Sequence, residues 1–218
     1  MNETPQADSA PQTSLEQARD ADAAQTYPRT VSSESVWRGR IFDVMVDHIV
    51  LEPGASSQRR DYIAHPGGVG IVVLRDGDRG VETLLIRQYR QAVRQRIWEV
   101  PAGLHDVADE PLLATAQREL LEEADLKARE WKTLLDLYTS PGCSNEHLRI
   151  YLARGVVPAE STYVRSGEEA TMELRWVALD EAVRMIFAGE IRNPSAISGL
   201  LAAATHLANP ELPLRDAV

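Results

Sequence analysis

The chain has 218 residues, of which 44% are hydrophobic, enough for one sizeable core; 33 Asp and Glu against 23 Lys and Arg give a formal charge of -10. That charge repels a phosphate backbone and argues against nucleic-acid binding, so an anionic small molecule would need a local set of arginines or bridging cations. One cysteine, Cys143, excludes an intrachain disulfide and a multi-cysteine zinc site and suits a reducing cytoplasm, and no segment reads as a secretory leader or a membrane span.

Residues 1–27 are polar and poor in large aliphatics, which predicts a disordered acidic tail. Residues 28–66 read as an N-terminal β-region, because Ile41, Val44, Val46 and Ile49 alternate with polar neighbours before the turn at Pro53-Gly54. A core strand follows over the β-branched run Val69 to Leu74, then a turn through Asp76-Gly77 and Gly80, a strand in ETLLIRQYR, and a strand in RIWEVPAG that stops at Pro101. The clearest helix spans about Pro111 to Ala124, with Pro111 as its first residue and Leu113, Ala116 and Leu120 at helical spacing. Strands are predicted near Trp131 to Leu137, His147 to Ala153 and Met172 to Ala178. Asp180 reads as the N-cap of a short helix ended by Gly189, and Asn193-Pro194 opens a last helix through about Leu207. The main domain then covers 67–208, with a C-terminal tail at 209–218. This order implies an α/β or α+β class with a mixed sheet between helices.

Within Gly103 to Leu126, Glu119, Glu122 and Glu123 stand at i, i+3 and i+4, so three carboxylates share one helix face beside an apolar stripe. Like charges so placed repel, and divalent cations among the oxygens reverse the sign. Hard carboxylate donors suit Mg2+, with Mn2+ as a substitute. Acidic pairs on helices are also common as plain solvated faces, and surrounding residues decide between the two.

The pattern G-x(6)-E-x(7)-R-E-L-x-E-E-x-x-L, from Gly103 through Glu110, Arg118 and Leu120 to Leu126, resembles the Nudix box G-x(5)-E-x(7)-R-E-U-x-E-E-x-G-U. It departs twice: one extra residue lies between Gly103 and Glu110, and Asp125 stands where the box has glycine. Pro141 in TSPGCSNEH, RQYR at Arg87 to Arg90, WEVPAG at Trp98 to Gly103 and SGEEATMELRW resemble the ADP-ribose pyrophosphatase branch. The resemblance implies a Nudix fold with an N-terminal antiparallel sheet used in dimerisation. It implies metal ligands at the Ala102 carbonyl, Glu119, Glu122, Glu123 and Glu169. Catalysis would fall to Glu119, Glu123 and Glu169, with Glu168 as a rival for the last. Arg60 and Arg90 would clamp phosphates, Ile41 and Phe42 would lie near adenine, and Glu99, Pro141 and Gly142 would complete the substrate site. Arg118 and Glu110 are expected to pair with each other structurally.

The implied activity is Mg2+-dependent cleavage of ADP-ribose to AMP and ribose 5-phosphate by a cytoplasmic homodimer. Alternatives are another nucleoside diphosphate derivative, such as a sugar nucleotide, NADH, a flavin or a diadenosine compound, or a non-catalytic ADP-ribose-binding regulator. Cys143 and His147, four apart, read as neither nucleophile nor metal pair, because no further ligands accompany them.

Overall fold

The computed structural model describes residues 26–78, 80–160, 163–165, 167 and 169–218. Residues 1–25 of the expected tail, and Glu168, lie outside the described residues. The chain divides after Ala64 into two compact units.

In the first unit, β1 (Arg29–Arg38), β2 (Asp43–Val50) and β3 (Gln58–Ala64) form an antiparallel sheet in that order. The alternating segment is therefore a hairpin rather than one continuous run. Its turn is closed by the Gly39 amide donating to the Phe42 carbonyl at 3.0 Å, so Ile41 sits in the turn and not in a strand. Among the described residues of this unit, only Val46 and Val50 are buried.

The second unit is built on β4 (Gly68–Gly77), β5 (Gly80–Arg90), β6 (Gln95–Glu99), β7 (Ala102–Leu104), α1 (Leu112–Ala124), β8 (Leu126–Lys127), β9 (Glu130–Tyr138) and β10 (His147–Arg154). It is completed by β11 (Val157–Pro158), a 3-10 turn at Glu169–Thr171, β12 (Glu173–Ala178), α2 (Leu179–Phe187), α3 (Pro194–Ala208) and β13 (Arg215–Asp216). The main sheet runs β12-β5-β4-β10-β9-β13, with β6 on β5 and β7 on β4. The β4–β10 pair is parallel and the others antiparallel, which makes the sheet mixed, as expected.

Side chains alternate across β4, and each face meets a different helix layer. Val69, Ile71 and Val73 join Tyr151, Ala116 and Leu120 under α1. Val72 and Leu74 join Ile150, Leu152, Ala182 and Leu200 under α2 and α3. Burial on both faces explains why Val69 to Leu74 is an unbroken apolar run.

Three boundaries differ from the sequence reading. Pro111 precedes α1 in an extended conformation, φ -61 and ψ 142, instead of being its first residue. α2 begins at Leu179, with Ala178 at the cap position, because β12 runs directly into it. Asp180 instead stabilises the first turn through the helix dipole and a 2.9 Å pair with Arg184. The 209–218 stretch is not merely a tail, since β13 pairs with β9 and extends the sheet. Too short to show a period, it carries no strand signal of its own. Asn193 does cap α3, its side chain accepting from the Ala196 amide. Among the described residues no helix is long and apolar enough to cross a membrane.

Candidate active site

α1 is oriented by its apolar stripe. Ala116 and Leu120 are fully buried against β4 and β10, which turns the acidic face toward the short strand β7. Glu123 is buried, at 5% exposure, and its Oε2 accepts the Ala102 amide at 2.9 Å. Glu119 lies on Gly103 so closely that a Cβ built there would stand 2.0 Å from its Cδ and 2.2 Å from Oε1. The strand β7 and the helix acids are thus one unit, joined by the Ala102 amide on the Glu123 carboxylate and by a glycine without a side chain.

Arg118 does more than pair with Glu110. Its Nε and Nη2 donate to Glu110 at 3.2 and 3.1 Å, while Nη1 donates to Glu119 Oε1 at 2.6 Å and reaches Glu122 Oε2 at 3.4 Å. The expectation of a separate structural pair is therefore too narrow: one guanidinium serves three carboxylates, two of them proposed ligands. Its hydrogen bond holds the Glu110 carboxyl below its ordinary value, and Glu110 in turn raises Arg118. Among the described residues no three ligating side chains yet converge on one point. Arg118 stands between Glu119 and Glu122, and Glu123 is turned onto the Ala102 amide.

The donor set nevertheless fits a divalent cation. One positive charge is shared by the three carboxylates of Glu110, Glu119 and Glu122, and oxygen donors of this kind are what magnesium selects. Arg118 already occupies the place between two of them as a cation.

The extra residue ahead of the helix is absorbed locally. Asp109 adopts φ 61, and the His105 Nε2 contact with the Glu110 carbonyl, 2.7 Å, closes the turn. The register of Glu110 on Arg118 survives. Asp125 ends α1 in the left-handed conformation, φ 53 and ψ 40, as the glycine of the family pattern would.

Glu99 is only 1% exposed, and both its oxygens are taken by Arg90 at 2.8 and 2.7 Å, with Gln88 at 3.2 Å. It therefore holds the Arg90 guanidinium with both of its oxygens. Arg90 itself is 42% exposed. Arg90→Ala strands a buried carboxylate and is expected to cost about 2–3 kcal/mol, below the range for a fully enclosed pair because Arg90 is partly solvated. Thermal unfolding should show a fall in Tm of roughly 5–10 °C. A Tm within about 2 °C of the parent would mean that Glu99 finds another partner.

Elsewhere, Pro141 and Gly142 sit exposed in the β9–β10 turn, where the Cys143 amide bonds the Ser140 carbonyl. Cys143 is exposed, and His147 faces Tyr138 and Asp136 rather than the cysteine. Glu169 opens the 3-10 turn, and its side chain lies outside what is described. In the first unit, Phe42 packs its ring 5.6 Å from that of Trp37, and Ile41 is exposed beside it. The Arg60 guanidinium bonds Gln58 Oε1 at 2.7 Å and the Arg59 carbonyl at 2.9 Å. Two roles were not foreseeable from residue type: Gly103 as the seat of Glu119, and Arg165, which reaches the end of α1. The first has a signal only in hindsight, a glycine at the centre of a short strand that faces an acidic helix.

The NUDIX domain family model matches residues 64–197. An ADP-ribose pyrophosphatase from Mycobacterium tuberculosis is 42% identical over 173 residues, 79% of this chain and 81% of that protein. A methanol dehydrogenase activator from Bacillus methanolicus is 30% identical over 158 residues, 72% of this chain and 82% of that protein. A solved ADP compounds hydrolase superposes with a TM-score of 0.69 at 21% identity, covering 86% of this chain and 98% of that one, which bears on the fold alone. With the family pattern spanning most of the second unit and a relative this similar across both, the chain belongs to the NUDIX family and is a pyrophosphohydrolase.

Proposed function

We propose that this protein hydrolyses the pyrophosphate of ADP-ribose to AMP and ribose 5-phosphate, with magnesium as its cofactor. The observation that carries the reading is the seating of Glu119 and Glu123 on Gly103 and Ala102, which gathers carboxylates and a strand end at one place. The 42% identity to an ADP-ribose pyrophosphatase supports the choice of substrate. Nudix hydrolases generally need divalent metal ions. Here Glu119, Glu122, Glu123 and the Ala102 carbonyl would hold them, with Glu169 completing the set. Bound ions neutralise pyrophosphate charge and lower the pKa of water.

The residues of the chain do the rest. The Glu169 carboxylate takes a proton from the attacking water as the new P–O bond forms and the anhydride P–O bond breaks. Arg90, its fork oriented by Glu99, holds phosphate oxygens. Pro141 and Gly142 shape the sugar side. The chain works as a homodimer, and the exposed Val31, Val36 and Trp37 of the first unit support a partner on that sheet.

Incubation with ADP-ribose, GDP-mannose, NADH, FAD and diadenosine polyphosphates, followed by product chromatography, tests the substrate. ADP-ribose should lead in kcat/KM by about tenfold or more. Faster turnover of another compound would move the substrate, and no turnover of any would leave a binding module. Chelation should reduce the rate below about 1%, with recovery on Mg2+ or Mn2+.

A further inference from the structure

Asp125 is the residue that departs from the family pattern, and its side chain is engaged. Its carboxylate Oδ2 accepts from Arg165 Nη2 at 2.6 Å, and its carbonyl accepts from the Ala159 amide at 2.8 Å. Arg165 Nε donates to the Glu122 carbonyl at 2.9 Å. Both Ala159 and Arg165 are therefore tied to the last turn of α1. That turn holds no basic residue, although it carries Glu122 and Glu123 where the helix dipole disfavours anions. Arg165 brings the missing cation from outside the helix and satisfies an end carbonyl.

The segment has a second anchor. Thr171, the last residue of the 3-10 turn, receives Arg96 Nη1 on its carbonyl and Arg96 Nη2 on its hydroxyl, each at 2.9 Å. Arg96 belongs to β6, three residues before Glu99. Glu169 lies between these anchors, four residues after Arg165 and two before Thr171.

We propose that Asp125 and Arg165 form a latch tying the chain at Arg165, four residues ahead of Glu169, to the end of the acidic helix, so that both act as positioning residues for hydrolysis. The proposal rests on the role assigned to Glu169 above. A glycine at 125 would suit the left-handed backbone better, so the aspartate stands there at a backbone cost. The latch offsets that cost.

Asp125→Gly separates the latch from helix stability. It relieves the backbone and frees Arg165, so Tm should be unchanged or higher, while kcat on ADP-ribose falls about tenfold and KM changes less than about twofold. Asp125→Asn keeps an acceptor and tolerates the left-handed conformation, and should retain at least about half of kcat. Arg165→Ala should match Asp125→Gly, and the double variant should be no worse than either single one, as two partners of one interaction require.

An activity-independent readout is the rate at which trypsin cleaves after Arg165, followed by mass spectrometry. Release of the latch should raise it about tenfold in Asp125→Gly, since cleavage tracks the opened population. Faster cleavage with unchanged kcat would overturn the positioning role, and unchanged cleavage would overturn the latch. Were the parent enzyme inactive on ADP-ribose, the substrate reading would fail by itself, and proteolysis would still decide the latch.

Discussion

Glu119→Gln is expected to lower kcat on ADP-ribose about a thousandfold while the protein stays folded. Gln is isosteric, so it fills the same space over Gly103, and its amide oxygen can still accept from Arg118. Arg118 also keeps Glu110 and Glu122. Glu119 and Glu123 are like charges at i, i+4, so removing one relieves a few tenths of a kcal/mol of repulsion in the metal-free protein. Tm without divalent ions should thus be unchanged or slightly higher. What is lost is a hard anionic donor, and with it several kcal/mol of charge stabilisation at the pyrophosphate. Calorimetric titration with Mn2+ should show weaker binding in parallel with the lost rate. Parent-like turnover in the variant would remove Glu119 from the site, and a collapse of Tm would mean that its role is packing.

The comparison of sequence with structure follows the range of the signals. Val69 to Leu74 announces its strand because both faces are buried, and α1 announces itself through Ala116 and Leu120 at helical spacing. Asn193 is legible as a cap because its chemistry is local. β13 is not legible: two residues have no period, and their pairing depends on β9 some eighty positions away. The acids of α1 can be named from the sequence, since their spacing lies within one helix. The partners that orient them cannot. Arg118 reaching Glu119 and Glu122, Glu123 on the Ala102 amide, and Glu99 buried under Arg90 are settled by which rotamer packing permits. Asp125 is instructive, because the sequence exposes it as a departure from the family pattern, yet only the fold brings Arg165 to it.

Gly103→Ala is expected to reduce turnover about a hundredfold with little loss of stability. The backbone at Gly103 does not require positive φ, so alanine meets no conformational penalty there, in contrast to Gly67 or Gly80. The obstacle is the Glu119 carboxyl, whose Cδ would lie 2.0 Å from the new methyl. Its Cγ would lie 2.3 Å away as well, so the whole Glu119 side chain turns about its Cα–Cβ bond instead of breaking the β4–β7 pairing of Val69 with Gly103. A stability change below about 1 kcal/mol is expected, and urea unfolding measures it. Displacement by an ångström or more would take one anionic donor out of reach of the ion that Glu119 is proposed to share with Glu122 and Glu123, and catalysis is sensitive to misplacement on that scale. The variant should therefore resemble Glu119→Gln in its weakened Mn2+ binding, although the carboxylate is still present. Combining the two substitutions should add little to either alone, because both act on the same oxygen atoms. Additive losses would mean that Gly103 serves the reaction by a separate route, such as approach of the backbone to the substrate.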